Sequence, residues 1–340
     1  MIRIAVDAMG GDRAPRDIVT GAIEAVRASK GRYEIVLVGN ASAIDEELKR
    51  HYFLKGLPLS VFNASQKIEM DESPAMALRK KPDSSIAVAT RLHKEGKVDA
   101  VVSAGNTGAV LAASLFLLKP LEGVLRPSIG SFVPHEDGVC FLIDVGTNVD
   151  CKPIHLLQFG MMGSILVKHL QKVENPRVGL LNIGEEPGKG NETIQAAYKF
   201  LEESSLNFVG NIEGRDILRG RADVVVCDGF VGNVLLKFAE SLGRMISLTL
   251  RRKIGGNIAG TVGHFLIRPK FRKLLKLFDY QEYGGAPLLG VKGNCIISHG
   301  SSSPRAIRNA IEAAWKMTQE RITERIEKQI KYLKGVTGEK

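Results

Sequence analysis

The feature that most constrains this chain is a unit that recurs along it: a short apolar run, a loop rich in Gly, Asn and Asp, and then a helical pattern. Alternating strands and helices build a mostly parallel sheet covered by helices, so the unit predicts an α/β fold. Ligands of such sheets bind beyond the carboxyl ends of the strands, and we expect the loops to face one crevice. The runs that precede such loops are 2–6, 98–102, 139–143, 178–181 and 224–227.

The composition is that of a globular protein of one large or two ordinary domains, because 44% of the 340 residues are hydrophobic and 25% are charged. A lobe boundary is predicted near the proline-containing segment 120–127. The four cysteines are far apart and lack zinc-site spacing, so we expect buried, reduced thiols in a cytosolic protein. The longest uncharged apolar stretch, 108–118, is shorter than the roughly 20 residues that cross a bilayer.

Several helices are predicted from apolar spacing. One helix is expected from Ala109 to Leu118, and another from Val234 to about Leu250 after a loop. A single C-terminal helix is expected over 306–333 because its apolar residues recur every three or four positions and form one buried face. These residues are Ile307, Ile311, Trp315, Ile322, Ile326 and Ile330.

The segment Asn182–Glu192, with the sequence NIGEEPGKGNE, has the composition of a phosphate-binding loop. Glycines let backbone N–H groups approach an anion, and Lys189 adds a cation beside the start of a helix. A glycine-rich surface turn with a solvated lysine explains the segment equally well. Its spacing differs from the P-loop pattern, so ATP is not implied.

Positive charge is concentrated in one stretch. The net charge is +10, and residues 244–278 contain nine Lys and Arg but no Asp or Glu. The middle of this stretch is apolar and its flanks are basic, which is typical of contact with an anionic membrane surface; packing in a dimer interface is the alternative. With 6% aromatic residues, nucleic-acid binding by base stacking is not expected. The predicted contact residues are Arg251, Arg252, Lys253, Ile254, Ile258, Val262, Phe265, Leu266, Arg268 and Lys270.

Missing motifs and the placement of the aspartates argue against several kinds of site. The Rossmann glycine pattern is absent after the first strand. Capping and turn hydrogen bonds explain Asp7, Asp12, Asp144 and Asp150 better than a metal does, so no metal or cofactor is expected. No G-x-S-x-G elbow or exposed thiol offers a covalent nucleophile. His299 lies in a Gly/Ser loop, where a site-lining and a structural role are equally compatible with its surroundings.

A site of backbone amides, Asn side chains and a lysine suits a reaction whose substrate brings its own nucleophile. Inorganic phosphate is largely a dianion near pH 7 and needs little help from a base. A thiolate leaving group needs little help from an acid. The protein then positions the reactants and stabilises an oxyanion.

Six ordered segments, spread over essentially the whole chain, resemble the PlsX-type phosphate acyltransferases of bacterial phospholipid synthesis. They are DAMGGD (7–12), SAGNTGA (103–109), DVGTNVD (144–150), NIGEEPGKGNE (182–192), DGFVGNVLLK (228–237) and HGSSSPRAI (299–307). The resemblance implies reversible transfer of a long acyl chain from acyl carrier protein to inorganic phosphate, by direct attack and without a covalent enzyme intermediate.

The same resemblance implies a two-lobed αβα sandwich like isopropylmalate dehydrogenase and phosphotransacetylase, with a protruding helical hairpin at 234–278. Lobe one would comprise 1–125 and 286–340, and lobe two 126–285. It further implies a cytoplasmic homodimer that associates with the inner face of the cell membrane. There the membrane-bound glycerol-3-phosphate acyltransferase is an expected partner, and the basic surface could dock acyl carrier protein instead of lipid.

The resemblance and the chemistry together predict a set of site residues. Lys189 and Asn233 are the predicted catalytic residues, with Lys189 on the phosphate and Asn233 on the phosphate or the thioester oxygen. The predicted binding residues are Gly105, Asn106, Asn148, Gly188, Gly190, Asp228 and His299. The predicted cleft-lining residues are Asp7, Gly10, Gly11 and Asp144.

Two kinds of rival remain open. One is another enzyme of the same fold, either a phosphotransacetylase that uses acyl-CoA or a metal-dependent decarboxylating dehydrogenase. The other is a non-enzymatic scaffold that recruits partners of lipid synthesis. Activity on CoA thioesters would favour the phosphotransacetylase, and dependence on Mg²⁺ and NAD would favour the dehydrogenase. The absence of any activity would favour the scaffold.

Overall fold

The computed structural model describes residues 1–254 and 284–337 and confirms the alternation of strands and helices. Its strands are β1 (Ile2–Asp7), β2 (Tyr33–Gly39), β3 (Leu59–Asn63), β4 (Ala100–Ser103), β5 (Ser128–His135), β6 (Gly138–Ile143), β7 (Arg177–Leu181), β8 (Asn207–Ile212), β9 (Val224–Val226), β10 (Ala286–Leu289) and β11 (Asn294–Ile297). Its helices are α1 (Arg16–Ser29), α2 (Ala41–Leu48), α3 (Pro74–Lys80), α4 (Ser85–Lys94), α5 (Thr107–Ala113), α6 (Pro153–Leu170), α7 (Glu192–Glu202), α8 (Gly214–Leu218), α9 (Gly229–Ile254), α10 (Pro304–Gln319) and α11 (Ile322–Thr337).

The strands form one sheet in the order β3-β2-β1-β4-β11-β10-β5-β6-β9-β7-β8. Seven of the ten neighbouring pairs in this described sheet are parallel, which confirms the mostly parallel α/β class. Strand β10 is antiparallel to both β11 and β5, and β5 is antiparallel to β6. The block β6-β9-β7-β8 therefore runs opposite to the block β3-β2-β1-β4-β11.

This reversal corrects the expectation that every strand-end loop faces one crevice. Carboxyl ends share an edge only within each block, because the two blocks point in opposite directions. Loops from both blocks can meet only where the blocks adjoin, at β11, β10, β5 and β6. The division into lobes at 1–125 plus 286–340 and at 126–285 stays a prediction.

Alternating burial along the strands produces three layers. Phe141 and Ile143 of β6 belong to the core on one face of the sheet, while Cys140 and Leu142 belong to the core on the other. Side chains of successive strand residues point to opposite faces, so both faces must be covered by helices. The αβα sandwich predicted from the sequence is confirmed.

The helix boundaries differ from the predictions in three places. The single C-terminal helix is wrong: α10 ends at Gln319, Arg321 adopts a left-handed conformation with φ 54°, and α11 begins at Ile322. The turn carries Ile322 and Ile326 into the core, so the predicted buried face is nevertheless present. Helix α5 continues as a π-helical turn over Ser114–Leu118. Helix α9 begins at Gly229, five residues before the predicted start.

Candidate active site

A cavity of about 430 Å³ opens where elements from the two oppositely directed blocks of the sheet meet. Its apolar lining includes Leu111, Ile129, Val145, Leu236, Ala286, Ile297 and Ala306. Its polar lining consists of Thr107, Ser131, Asn233, Lys237, Glu240, Ser298, His299 and Ser302. The volume and the combination of apolar and polar side chains are those of a small-molecule site.

The loops after β1, β4 and β11 are joined into one surface beside this cavity. Asp7 accepts a hydrogen bond from the Ser103 hydroxyl at 2.6 Å. Burial raises the pKa of the Asp7 carboxyl above its usual value, although this hydrogen bond acts in the opposite direction. Gly10 must lack a side chain because a Cβ there would lie 2.6 Å from the backbone nitrogen of Gly105. Gly11 has φ +112° and sits against Gly300 of the β11 loop. Asp7, Gly10 and Gly11 therefore shape the loops, and none of them lines the cavity.

Asn106 has its side chain fully engaged by the protein. Its Oδ1 accepts the backbone N–H of Ala109 at 3.0 Å and caps α5. Its Nδ2 donates to the carbonyl oxygens of Glu69, Met70 and Glu72 at 3.0–3.3 Å. This geometry supports a role in holding segment 69–72 beside the site rather than direct contact with phosphate.

Asp144 and Asn148 form a second closed arrangement, at the end of β6. The Asp144 carboxylate accepts the backbone N–H groups of Gly146, Thr147 and Asn148 at 2.8–2.9 Å and the Asn148 amide at 2.7 Å. The Asn148 amide also donates to the Pro127 carbonyl oxygen. Burial raises the pKa of the Asp144 carboxyl above its usual value, although the hydrogen bonds from these donors act in the opposite direction. Both side chains order the loop that presents Gly146 to the cavity.

The start of α9 is held against this loop and carries Asn233 into the cavity. Asp228 caps the helix by accepting the Val231 N–H at 2.9 Å. Gly232 must be glycine because a Cβ there would overlap the Asp144 carbonyl oxygen. Asn233 lies beside Gly146 and lines the cavity, as a residue that acts on substrate must. Asp228 positions the helix and is not among the lining residues.

Lys189 lies outside the cavity. Its loop follows β7, which is separated from β6 by β9 in the sheet order. Lys189 and Gly188 are exposed, and the Asn182 amide donates to the Lys189 carbonyl oxygen at 3.0 Å. Gly190 has φ +86° and turns the chain towards α7. No residue of 182–192 lines the described cavity, so the structure does not bring Lys189 together with Asn233 there.

His299 lines the cavity within a tight local turn. Its Nδ1 lies 2.8 Å from the Ser301 hydroxyl oxygen and accepts the Ser301 backbone N–H at 3.2 Å. An accepting Nδ1 places the ring proton on Nε2 in the neutral tautomer. Gly105 packs against Asp7 and Ser103 and does not line the cavity.

Sequence reasoning missed Lys237 and Glu240 as site residues. They follow Asn233 on α9 at spacings of four and three residues, and all three line the cavity. Lys237 Nζ and Glu240 Oε2 are 3.0 Å apart. The signal was present in the motif DGFVGNVLLK, whose lysine falls one helical turn after the asparagine once the helix start is placed at Gly229.

The thiols are poor nucleophiles. Cys140, Cys227 and Cys295 are buried, and burial raises the pKa of Cys140 to about 12 and of Cys295 to about 11. Cys151 is half-buried, which corrects the expectation that all four are buried, yet burial and then Asp144 raise its pKa to about 12. A thiol with so high a pKa carries almost no thiolate near pH 7.

The predicted basic contact surface is only partly within the described residues. The backbone of Arg251, Arg252, Lys253 and Ile254 completes α9. Ile258, Val262, Phe265, Leu266, Arg268 and Lys270, and with them the rest of the predicted hairpin, lie outside the described residues. Within residues 1–254 and 284–337, no helix combines the length and apolarity that crossing a membrane requires.

The fold is similar to that of acyl-transferring enzymes of known structure. A phosphotransacetylase from Streptococcus pyogenes superposes with a TM-score of 0.64 at 15% identity and covers 94% of each chain. A branched-chain phosphotransacylase from Enterococcus faecalis superposes with a TM-score of 0.59 at 15% identity, covering 94% of this chain and 99% of that one. At this identity the likeness establishes the fold alone, and it confirms the phosphotransacetylase-like class.

Sequence relatives identify the family. The profile described as "Fatty acid synthesis protein" matches residues 2–325. A phosphate acyltransferase from Syntrophotalea carbinolica is 50% identical over 325 residues, which is 96% of this chain and 93% of the relative. A phosphate acyltransferase from Moorella thermoacetica is 50% identical over 313 residues, or 92% and 91% of the two chains. The chain therefore belongs to the PlsX family of phosphate acyltransferases and is an acyltransferase enzyme.

Proposed function

We propose that this protein reversibly transfers a long-chain fatty acyl group from acyl carrier protein to inorganic phosphate, forming an acyl phosphate for phosphatidic acid synthesis. The observation that carries the proposal is a cavity in which an amide, an ammonium group and an imidazole accompany an extensive apolar lining. Such a cavity offers donors for phosphate together with an apolar surface for the acyl thioester. Family membership supplies the reaction class.

The proposed reaction is a direct displacement. A phosphate oxygen attacks the thioester carbonyl carbon, and the carbonyl oxygen becomes a tetrahedral oxyanion. The C–S bond then breaks, and the carrier-protein thiolate leaves and takes a proton from water. The Asn233 amide, which can donate two hydrogen bonds, would stabilise the oxyanion or orient the phosphate.

The described thiols support a mechanism without an acyl-enzyme intermediate, since burial keeps them protonated. The Ser301–His299 pair is a local turn in which the imidazole Nδ1 also accepts the Ser301 backbone N–H. The single Nδ1 lone pair is shared between the hydroxyl and the backbone N–H of Ser301, which weakens the imidazole as a base for the serine. Phosphate itself is therefore the proposed nucleophile.

Lys189 keeps its proposed role as a phosphate-binding cation, with Gly188 and Gly190 supplying backbone N–H groups. Because this loop does not line the described cavity, the role has to be tested by substitution rather than taken from the geometry. Gly105, Asn106, Asn148 and Asp228 are proposed to support the binding loops. In the case of Asn106, Asn148 and Asp228, side-chain hydrogen bonds to the protein support this positioning role.

We also propose a cytoplasmic homodimer that associates peripherally with the inner face of the membrane, near a membrane-bound glycerol-3-phosphate acyltransferase. Phe230, Val234, Phe238 and Met245 of α9 are 55–65% exposed, and this apolar surface supports a protein interface on the helix. A monomer in light scattering would contradict the dimer. Failure to float with anionic vesicles at low salt would contradict membrane association by 251–270.

The decisive experiment measures phosphate-dependent release of carrier-protein thiol from palmitoyl-acyl carrier protein, without added metal, beside palmitoyl-CoA. Release from the carrier-protein substrate alone is expected. Equal or better use of CoA would contradict the proposed donor and indicate phosphotransacetylase activity on acyl-CoA. No release from either thioester would contradict the proposed reaction.

A further inference from the structure

We propose that Lys237 is the cation that holds phosphate inside the cavity and that Glu240 competes with phosphate for it. The inference rests on the proposed function and names the residue that gives the cavity its affinity for the anion. It assigns a role to a side chain that the motif analysis left without one.

The first step is the placement of Lys237. Asn233, Lys237 and Glu240 are separated by four and three residues on α9, so they lie on one face of the helix. All three line the cavity. The helix itself cannot shift freely, because Gly232 packs against the Asp144 carbonyl and the Gly229 N–H donates to the Asn148 carbonyl oxygen at 2.7 Å.

The second step is charge. Among the described residues that line the cavity, Lys237 is the one Lys or Arg and Glu240 is the one carboxylate. Their side chains pair at 3.0 Å, with 52% of the Lys237 side chain and 21% of that of Glu240 exposed. An exposed lysine paired to one carboxylate keeps two ammonium hydrogens for other acceptors.

The third step is exchange. A phosphate dianion carries two negative charges against one on the Glu240 carboxylate, and both anions accept charge-assisted hydrogen bonds from the ammonium group of Lys237. Lys237 can therefore turn from Glu240 towards phosphate, while Asn233 one turn earlier contacts the same anion or the thioester oxygen. Glu240 then opposes binding by its negative charge, so its removal should strengthen phosphate binding.

A buried hydroxyl adds an independent indication that the cavity takes a polar ligand. Ser298 lines the cavity and is 5% exposed. Its Oγ has no hydrogen-bond partner among the residues that the structure describes. A buried hydroxyl without a partner is costly, and a ligand in this cavity would lower that cost if it rearranged Ser298 or bonded to it directly.

The experiment varies phosphate at saturating palmitoyl-acyl carrier protein in Lys237→Met, Lys237→Arg and Glu240→Gln, with Lys199→Met on the exposed surface of α7 as the matched control. Loss of one charged hydrogen bond should raise the KM for phosphate about 10- to 100-fold in Lys237→Met. Lys237→Arg should recover most of this loss, and Glu240→Gln should lower the KM several-fold. Unchanged KM values for phosphate in both Lys237→Met and Glu240→Gln would overturn the inference.

A second readout needs no acyl donor. Phosphate should raise the unfolding temperature of the wild type and of Lys199→Met, relative to chloride at equal ionic strength, because a ligand of the folded state stabilises it. Lys237→Met should lose that shift, and Glu240→Gln should enlarge it. An equal shift in Lys237→Met would overturn the inference even if the transfer reaction is confirmed. Inactive wild type with a Lys237-dependent phosphate shift would instead remove the proposed function and leave the anion site.

Discussion

Two glycine-rich segments of the second half of the sheet carry the same residue types but lie in different places. Segment 182–192 follows β7 and contains Lys189, whereas segment 228–237 follows β9 and contains Asn233 and Lys237. Strand β9 adjoins β6 near the reversal in the sheet, and β7 lies one strand farther out. The first segment remains an exposed loop outside the cavity, while the second becomes a helix whose side chains line it. Position in the sheet order, more than composition, decides which segment reaches the cavity.

The largest expected effect comes from Asn233→Ala, which removes the amide donor that the α9 segment places in the cavity. The kcat/KM for acyl transfer should fall about 10²- to 10³-fold, as when an oxyanion donor is lost. Steady-state kinetics with palmitoyl-acyl carrier protein would measure it, and an unchanged unfolding temperature would exclude misfolding as the cause. Activity within twofold of the wild type would remove Asn233 from the mechanism.

Lys189→Ala tests the other segment. If Lys189 binds phosphate, kcat/KM should fall about 10- to 100-fold while the fold stays intact. Lys199→Ala, on the exposed surface of α7, is the control for loss of a surface charge. Near-normal activity in Lys189→Ala would remove segment 182–192 from catalysis and leave segment 228–237 as the catalytic one.

A pair of glycine substitutions compares the packing of the two segments. Gly232→Ala should lower the free energy of unfolding by about 1–3 kcal/mol, because its Cβ would overlap the Asp144 carbonyl and lie 2.9 Å from Cys227 Sγ. Gly188→Ala should leave the free energy of unfolding nearly unchanged, since a Cβ there has no neighbour within 4 Å. Denaturant titration of both variants measures the difference, and equal destabilisation would contradict the contrast in packing.

The smallest effect concerns the link between the strands that carry the two segments. Asp223, just before β9, accepts hydrogen bonds from the backbone and guanidinium of Arg177 in β7 at 2.8–3.1 Å. Burial of Asp223 opposes its ionisation, but Arg177 prevails and lowers its pKa. Asp223→Asn should therefore cost about 1 kcal/mol at pH 7, a modest value because Arg177 is partly exposed to solvent.

The pH dependence follows from that lowered pKa. A carboxylate with a depressed folded-state pKa stabilises the protein above its ordinary pKa and loses this contribution as the pH falls through the folded-state value. The difference between wild type and Asp223→Asn should thus be full near neutrality and shrink below about pH 4. A constant difference down to pH 3 would show that the ion pair is not its source.

The sequence alone predicted the fold class and the family, because both depend on patterns that neighbouring residues carry. The alternation of apolar runs with helical segments predicts a helix-covered sheet, and both are present. Six motifs predict the family, and the relatives confirm it. Turn chemistry also predicted that Asp144 and Asp7 accept local hydrogen bonds, which the structure contains.

Only the tertiary structure decided which of these residues meet. The reversal of β6, β9, β7 and β8 depends on pairings between distant strands, and no local pattern encodes strand order. Asn106, Asn148 and Asn233 look alike in the sequence, yet the first two donate to backbone carbonyls and the third lines the cavity. Lys237 lines the cavity because α9 packs beside β5 and β6. An asparagine or lysine has the same chemistry everywhere, but contacts between residues far apart in the chain determine whether that chemistry is available to a substrate.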